Sequence, residues 1–352
     1  MKEIPNSNAM QNENASVRPL LEVRNLCVDF SDKKIHAIEN VNIKIFPGEC
    51  VALVGESGCG KTLSASAIMN VLPHNAEISA GEILFSQGES ETKNILELDE
   101  NSRCEIFGKN ISMIFQDPAA ALDPLCTCGK QIAEGAIVHG AQKKSAQELA
   151  KKIMAKTGLC DIERIYESFP HEISGGQKQR VLIAASLINS PNLLIADEPT
   201  SALDATIQKE ILQIILDLNK ESKTSLLLIS HDFSIIKKIS ARVYVMYAGR
   251  IIESGATEQV LQNPLHPYTE ALLRAIPTSV KKDEKLFTVT GAVPSPKERK
   301  KNQCNFFNRC PCAKPGCAKQ NPKTFFFGDH FVECTFAEKK FLQGGDFFGK
   351  QK

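Results

Sequence analysis

The stretch VALVGESGCGKTLSASAIMNVL, residues 51–72, decides the fold. Its first four residues form a short apolar run that reads as a strand. Residues 55–62 then fit the pattern G-x-x-x-x-G-K-[ST], and a helix-like run follows from Lys61. Strand, glycine-rich turn and helix, in that order, are the setting in which such a turn cradles phosphate. The glycines let backbone N–H groups approach phosphate oxygens, and the helix N-terminus adds positive potential. Lys61 is placed to reach β- and γ-phosphates, and the Thr62 hydroxyl to hold Mg²⁺. Gly55, Glu56, Ser57, Gly58, Cys59, Gly60, Lys61 and Thr62 are therefore candidate nucleotide contacts. A glycine-rich turn without a ligand is the plain alternative, and the flanking elements weigh against it.

The stretch LLIADEPTSALD, residues 193–204, supplies a second half. An apolar strand ending in Asp197 puts a carboxylate at the C-terminal edge of a sheet, where α/β proteins bind ligands. Asp197 suits the Mg²⁺ shell. Glu198, one residue on, points elsewhere and suits taking a proton from an attacking water. Alone, such a pair would be an ordinary acidic helix cap; the phosphate loop reverses that weighing.

Outward from these two anchors, residues 20–55 alternate apolar runs with turns and read as strands. Residues 86–110 read as loop with a short helix, and residues 142–158 as a helix ending at a glycine. The runs NLLIAD (192–197) and SLLLIS (225–230) bracket a helix with Ile207, Ile211, Ile214, Ile215 and Leu218 on one face. Continuous apolar strands separated by helices predict a parallel sheet covered on both sides. ARVYVMYAGRIIESG reads as a hairpin turning at Ala248-Gly249, and a boundary is expected near residues 263–277, where three prolines interrupt the pattern.

With 352 residues the chain can hold a large core plus an appendage. A net charge of +1 gives no global field for nucleic acid. No apolar run approaches the roughly 18 residues of a membrane span. Residues 1–19 are polar and read as a disordered lead-in without a secretory pattern, so a protein on the cytosolic side is expected. Five of the twelve cysteines crowd into the last fifty residues, which in a reducing compartment points to metal more than to disulfides.

Taken together, GESGCGKT, IFQDP, ISGGQ, LLIADEP, SALD and ISHD, in that order, resemble the nucleotide-binding subunit of ABC transporters. The family usually has Leu where Ile173 stands. The resemblance implies an α/β P-loop NTPase of ABC type, with a parallel-sheet core, an antiparallel β subdomain, a helical subdomain over about 117–185, and a small Cys-rich C-terminal extension. On this reading residues 20–265 form the nucleotide-binding domain, 266–340 the extension and 341–352 a tail. The resemblance also implies roles. Ser174, Gly175, Gly176 and Gln177 would bind the γ-phosphate of ATP held by a second subunit, with Asp204 near the dimer seam. Gln116 would sense Mg²⁺ or the attacking water, with Thr62 and Asp197 completing the Mg²⁺ shell. His231 would contact the γ-phosphate and hold Glu198 and water, and Phe30 would stack on adenine. In isolation Ser174 and Asp204 are ordinary helix caps, Phe30 core, Gln116 part of a turn and His231 structural.

FPHEISGGQKQRV, VMYAGRIIESG and HPYTEALLRAIP resemble, more narrowly, the ATPase subunits of dipeptide, oligopeptide and nickel importers. The partners implied are a second ATPase subunit, identical or different, two membrane permease subunits at the cytoplasmic face of the inner membrane, and an extracytoplasmic binding protein. Some members of this branch carry a [4Fe–4S] cluster, and Cys304, Cys310, Cys317 and Cys334 match its four cysteines. The spacing C-x5-C-x6-C-x16-C by itself chooses between neither iron–sulfur and zinc nor metal and no metal, and Cys312 or His330 are alternative ligands. Seven phenylalanines near the cysteines (306, 307, 325, 326, 327, 331 and 336) are expected to shield them or to form a small core. A soluble ABC ATPase within a cytosolic enzyme complex is the rival reading. A nucleic-acid ATPase is a weaker third, for lack of a basic surface.

Overall fold

The computed structural model describes residues 18–30, 35–87, 92–200, 205–276, 289–343 and 347. The expected lead-in therefore falls almost wholly outside the described residues, as does the SALD segment with Asp204.

Strands β1 (Leu21–Phe30) and β2 (Ile35–Ile45) open the chain, followed by β3 (Cys50–Val54) and helix α1 (Lys61–Ile68). Strands β4 (Ala76–Phe85) and β5 (Lys93–Asn94) complete an antiparallel sheet in the order β2-β1-β4-β5. Its alternating buried and exposed residues are those of a sheet with one face on the core. Where a loop with a short helix was expected over 86–110, β5 and α2 (Glu100–Ile106) form, the helix capped by Asp99 accepting from Ser102 N–H. Strand β6 (Ile111–Ile114) then enters the second sheet.

Five helices follow: α3 (Pro118–Ala121), α4 (Cys128–Val138), α5 (Lys143–Lys156), α6 (Ile162–Glu167) and α7 (Gly175–Leu187). They enclose an apolar core of their own, with Ile132, Met154, Ile165 and Val181 among its fully buried members. Strand β7 (Leu193–Asp197), helix α8 (Ala205–Ser222), strand β8 (Ser225–Ile229), helix α9 (Phe233–Ile239), strands β9 (Arg242–Tyr247) and β10 (Arg250–Ala256), and helices α10 (Thr257–Gln262) and α11 (Pro267–Arg274) come next. The last elements are β11 (Thr324–Phe327), β12 (His330–Glu333) and α12 (Ala337–Gln343).

The second sheet has the order β11-β12-β10-β9-β3-β8-β7-β6. The five strands from β9 to the β6 edge are parallel: β9 with β3, β3 with β8, β8 with β7 and β7 with β6. Every residue of β7 and β8 is buried, which explains their unbroken apolar sequence. Ile211, Ile215 and Leu218 of α8 are buried against this layer, as the helical periodicity predicts. The β9–β10 hairpin turns through Ala248 (φ 45°) and Gly249 (φ 80°). A Cβ on Gly249 would stand 2.4 Å from the Ala37 carbonyl, so only glycine fits there.

The C-terminal segment is continuous with this sheet. β12 pairs antiparallel with β10, and β11 with β12. A buried carboxylate, Glu253, ties the join: it accepts from Leu265 N–H at 2.6 Å, His266 N–H at 3.0 Å and His330 Nε2 at 2.8 Å. An acid this deep is tolerated because its lone pairs are satisfied by several partners.

Candidate functional site

The phosphate loop leaves β3 and enters α1. Gly55 takes φ 156°, and a Cβ there would meet the Met246 carbonyl at 2.3 Å. Met246 lies on neighbouring β9, so close packing of loop and sheet dictates glycine at this position. Helix α1 begins after Gly60 with no side chain capping it, leaving first-turn N–H groups free for an anion. Lys61 is buried, and its ammonium donates to the Gly55 carbonyl at 2.8 Å and the Glu56 carbonyl at 3.1 Å. An ammonium folded over such a loop neutralises charge brought into it.

Asp197 and Glu198 come next, at the end of β7, between β8 and the edge strand β6. Asp197 is 1% exposed, and its Oδ1 has no hydrogen-bond partner among the described residues. Burial pushes its carboxyl up, the Thr62 hydroxyl beside it pulls it down, Glu198 adds a smaller upward push and Lys61 a pull down. A buried acceptor left open beside a threonine hydroxyl is the chemistry of a hard divalent cation, so Thr62 and Asp197 fit Mg²⁺.

Glu198 is the focus of the site. Its backbone takes φ 43° and its N–H donates to the Ile229 carbonyl at 3.0 Å. Gln116 Nε2 donates to Glu198 Oε2 at 3.4 Å, His231 Nδ1 is 3.6 Å from the same oxygen, and Lys61 Nζ is 3.9 Å from Oε1. Gln116 follows β6 and His231 follows β8, so the ends of adjacent strands bring together residues far apart in sequence. The arrangement can hold a water against a carboxylate and keep that carboxylate oriented toward the phosphate loop.

Ser174 heads α7. Its Oγ accepts from Gln177 N–H at 3.3 Å, and the Gln177 side chain accepts from Ser174 N–H at 3.0 Å, a reciprocal capping box. Ser174 and Gly175 are exposed, and a Cβ on Gly175 would meet nothing within 4 Å. The turn is therefore open toward solvent. Phe30 ends β1 half-buried, opposite Ile35 and Ala76.

The four matched cysteines, Cys304, Cys310, Cys317 and Cys334, line one small cavity of about 20 Å³, walled also by Phe306, Phe307 and Phe336. Burial pushes Cys304 up to about 11, and Cys310 and Cys334 up to about 12. Four thiols around one cavity are a donor set that iron–sulfur and zinc centres both use, but the side chains do not close around an ion: among the described residues no group of three or more His, Cys, Asp or Glu side chains could hold one. The alternative ligands lie elsewhere: His330 is engaged by buried Glu253, and the Cys312 thiol donates to the Phe347 carbonyl at 3.4 Å; neither lines the cavity. The phenylalanines divide: Phe325, Phe327 and Phe336 pack on a small core that includes Cys334, while Phe326 is 70% exposed and Phe331 packs toward the main core.

Two residues of the site region were not read from the sequence. Arg309 and Tyr268 both contact Glu56 in the phosphate loop, and no local spacing pattern links positions so distant in the chain.

Fold and site define an ATPase of the ATP-binding-cassette class, with its loop, acidic strand end and serine-headed helix on one sheet-and-helix scaffold. The ABC transporter family model matches residues 38–201, and the model for the oligopeptide/dipeptide transporter C-terminal region matches residues 252–317. The chain is 38% identical over 318 residues to the dipeptide transport ATP-binding protein DppD of Haemophilus influenzae, covering 90% of this chain and 94% of that one. It is 42% identical over 306 residues to the oligopeptide transport ATP-binding protein AppD of Bacillus subtilis, covering 86% and 92%. Among solved structures, cbiO1 of Clostridium perfringens, part of an ABC transporter complex, superposes with a TM-score of 0.59 at 28% identity, covering 69% of this chain and 91% of that one. A dimeric post-hydrolysis ATP-binding cassette bound to ADP and phosphate gives 0.58 at 26% identity, covering 67% and 98%. The chain belongs to the ABC transporter ATP-binding family, in the branch with the oligopeptide/dipeptide transporter C-terminal region.

Proposed function

We propose that this chain is one of two ATP-hydrolysing subunits driving import of dipeptides or oligopeptides. The observation that carries the reading is the convergence of Lys61, Gln116 and His231 on Glu198, beside the open carboxylate of Asp197. In this reading the loop Gly55–Thr62 holds ATP, and Phe30 lies against the base. Thr62, Gln116 and Asp197 would hold Mg²⁺, which would supply charge neutralisation to the bound polyphosphate. Glu198 takes the proton of the attacking water, and Gln116 and His231 orient carboxylate and water.

The exposed turn Ser174–Gln177 serves the other subunit's nucleotide. Ser174 hydroxyl and glycine amides at a helix N-terminus form an anion clamp, so ATP binding favours the closed pair and hydrolysis releases it. The dimeric cassette among the similar structures supports this pairing. The names of the relatives support peptides as cargo. Among the described residues no helix is long and apolar enough to cross a membrane, so separate permease subunits would carry the cargo, with this chain at the cytoplasmic face and a binding protein outside. The four cysteines are proposed to hold a [4Fe–4S] cluster, supported by their shared apolar cavity.

Affinity purification from membranes tests the reading. Co-purification with two permeases and peptide-stimulated, Mg²⁺-dependent ATP hydrolysis are expected. Recovery only with soluble enzymes would overturn it in favour of a cytosolic complex.

A further inference from the structure

The second residue of the phosphate loop is an acid. In a loop whose other features favour an anion, an uncompensated carboxylate at Glu56 would oppose a polyphosphate. Compensation arrives from 253 residues away. Arg309 grips Glu56 with both arms of its guanidinium, at 2.6 Å to Oε2 and 2.9 Å to Oε1. This fork-on-carboxylate geometry is specific to arginine. The Arg309 side chain is only 5% exposed. It lies over the rings of Tyr247 at 5.7 Å and Phe306 at 5.9 Å, and its Nε donates to the Thr290 carbonyl at 2.9 Å.

A second contact fixes the backbone of the same residue. Glu56 N–H donates to the Tyr268 hydroxyl at 2.8 Å. Tyr268 is fully buried in α11, 4.6 Å from the Tyr247 ring and 5.4 Å from the Phe306 ring. Its hydroxyl therefore has a fixed address, and it takes up a loop N–H that would otherwise be free. Charge and backbone direction at Glu56 are thus both set by residues C-terminal to the β9–β10 hairpin, outside every nucleotide-binding motif of the sequence.

We propose that Arg309 and Tyr268 are positioning residues for nucleotide binding, Arg309 by neutralising and pinning the Glu56 carboxylate and Tyr268 by anchoring the Glu56 backbone. The proposal rests on the nucleotide-binding reading of the loop. It makes the C-terminal segment a working part of the ATP site. Arg309 directly precedes Cys310, one of the residues lining the cysteine cavity.

The test is a double-mutant cycle in the full chain, assembled with its permeases. ATP affinity is measured by titration with a fluorescent ATP analogue, and KM and kcat by phosphate release, for wild type, R309M, E56Q, R309M/E56Q and R309K. Methionine keeps most of the packing against the aromatic rings. R309M is expected to weaken affinity and raise KM about tenfold while kcat changes less than about twofold. E56Q has an effect of its own, since Glu56 lies in the loop that holds ATP, and the cycle reads the coupling: the tenfold penalty of R309M is expected to shrink to less than about threefold in the E56Q background, and R309K falls between R309M and wild type. Wild-type affinity in R309M, or an R309M penalty that persists in full in the E56Q background, overturns the proposal. If R309M does not fold, Y268F carries the test: it strands the Glu56 N–H and is expected to raise KM about threefold at unchanged kcat, and an unchanged KM overturns the proposal. Wild-type protein that fails to bind the analogue, or K61A that binds it normally, would instead sink the nucleotide reading itself.

Discussion

Lys61 Nζ stands 3.9 Å from Glu198 Oε1, so the loop's cation and the candidate base share one electrostatic neighbourhood. The lysine is held by two loop carbonyls, which leaves the carboxylate free to act on water. Replacing Glu198 by glutamine preserves shape and removes basicity. Glu198→Gln is expected to keep ATP binding and to lower turnover about 10²- to 10⁴-fold in the assembled complex. Phosphate release at the wild-type rate would remove Glu198 from the role of base.

Ser174 caps α7, and in the proposed pairing it would also face a partner's phosphate. Aspartate caps helices as well as serine does, but puts a negative charge where the γ-phosphate should come. Ser174→Asp is therefore expected to shift unfolding by less than about 0.5 kcal/mol, because the cap is kept, while ATP hydrolysis is lost. A thermal melt and an ATPase assay on one preparation decide it; full activity would leave the turn as a cap and nothing more.

The fold and most of the site were legible because their signals are local. The strand before Gly55, the helix after Lys61, the apolar runs of β7 and β8 and the Ala248-Gly249 turn each announce themselves within about a dozen residues. What was not legible is long-range. β11 and β12 are four residues each, and the four-residue patterns TFFF and HFVE do not reveal that they extend the main sheet through β10. Tyr268 stood in a stretch that marked the branch, yet its hydroxyl contact depends on the packing of α11 beside the loop. The Glu253 partnership with His330, which removes that histidine from the metal question, is likewise a product of tertiary packing.

His266 is buried without charge and accepts a hydrogen bond from Tyr268 N–H through Nδ1. Burial pulls it down to about 3. The unfolded chain then takes up the proton first, so this group's contribution to stability is complete above about pH 6.5 and is lost as pH falls from there toward 3. The expected loss between pH 7 and pH 5 is about 2 kcal/mol from this residue. Denaturant unfolding of wild type and His266→Asn at the two pH values measures it as a difference in slope. Equal pH dependence in both proteins would contradict the burial argument.

The shared cavity of Cys304, Cys310, Cys317 and Cys334 predicts the outcome of anaerobic purification. Brown protein with iron and acid-labile sulfide in equal amounts is expected, with the colour lost in Cys334→Ser and retained in Cys312→Ser. Colourless protein with stoichiometric zinc, or with no metal, would overturn the cluster assignment.

The central claim is that each reaction chamber is completed across two subunits. The direct measurement is the mass of the Glu198→Gln protein in solution with and without MgATP, alone and mixed with its cognate second ATPase subunit. The account predicts a dimer that forms only with ATP and is abolished by Ser174→Asp. Protein that stays monomeric under ATP even with its cognate partner would contradict it.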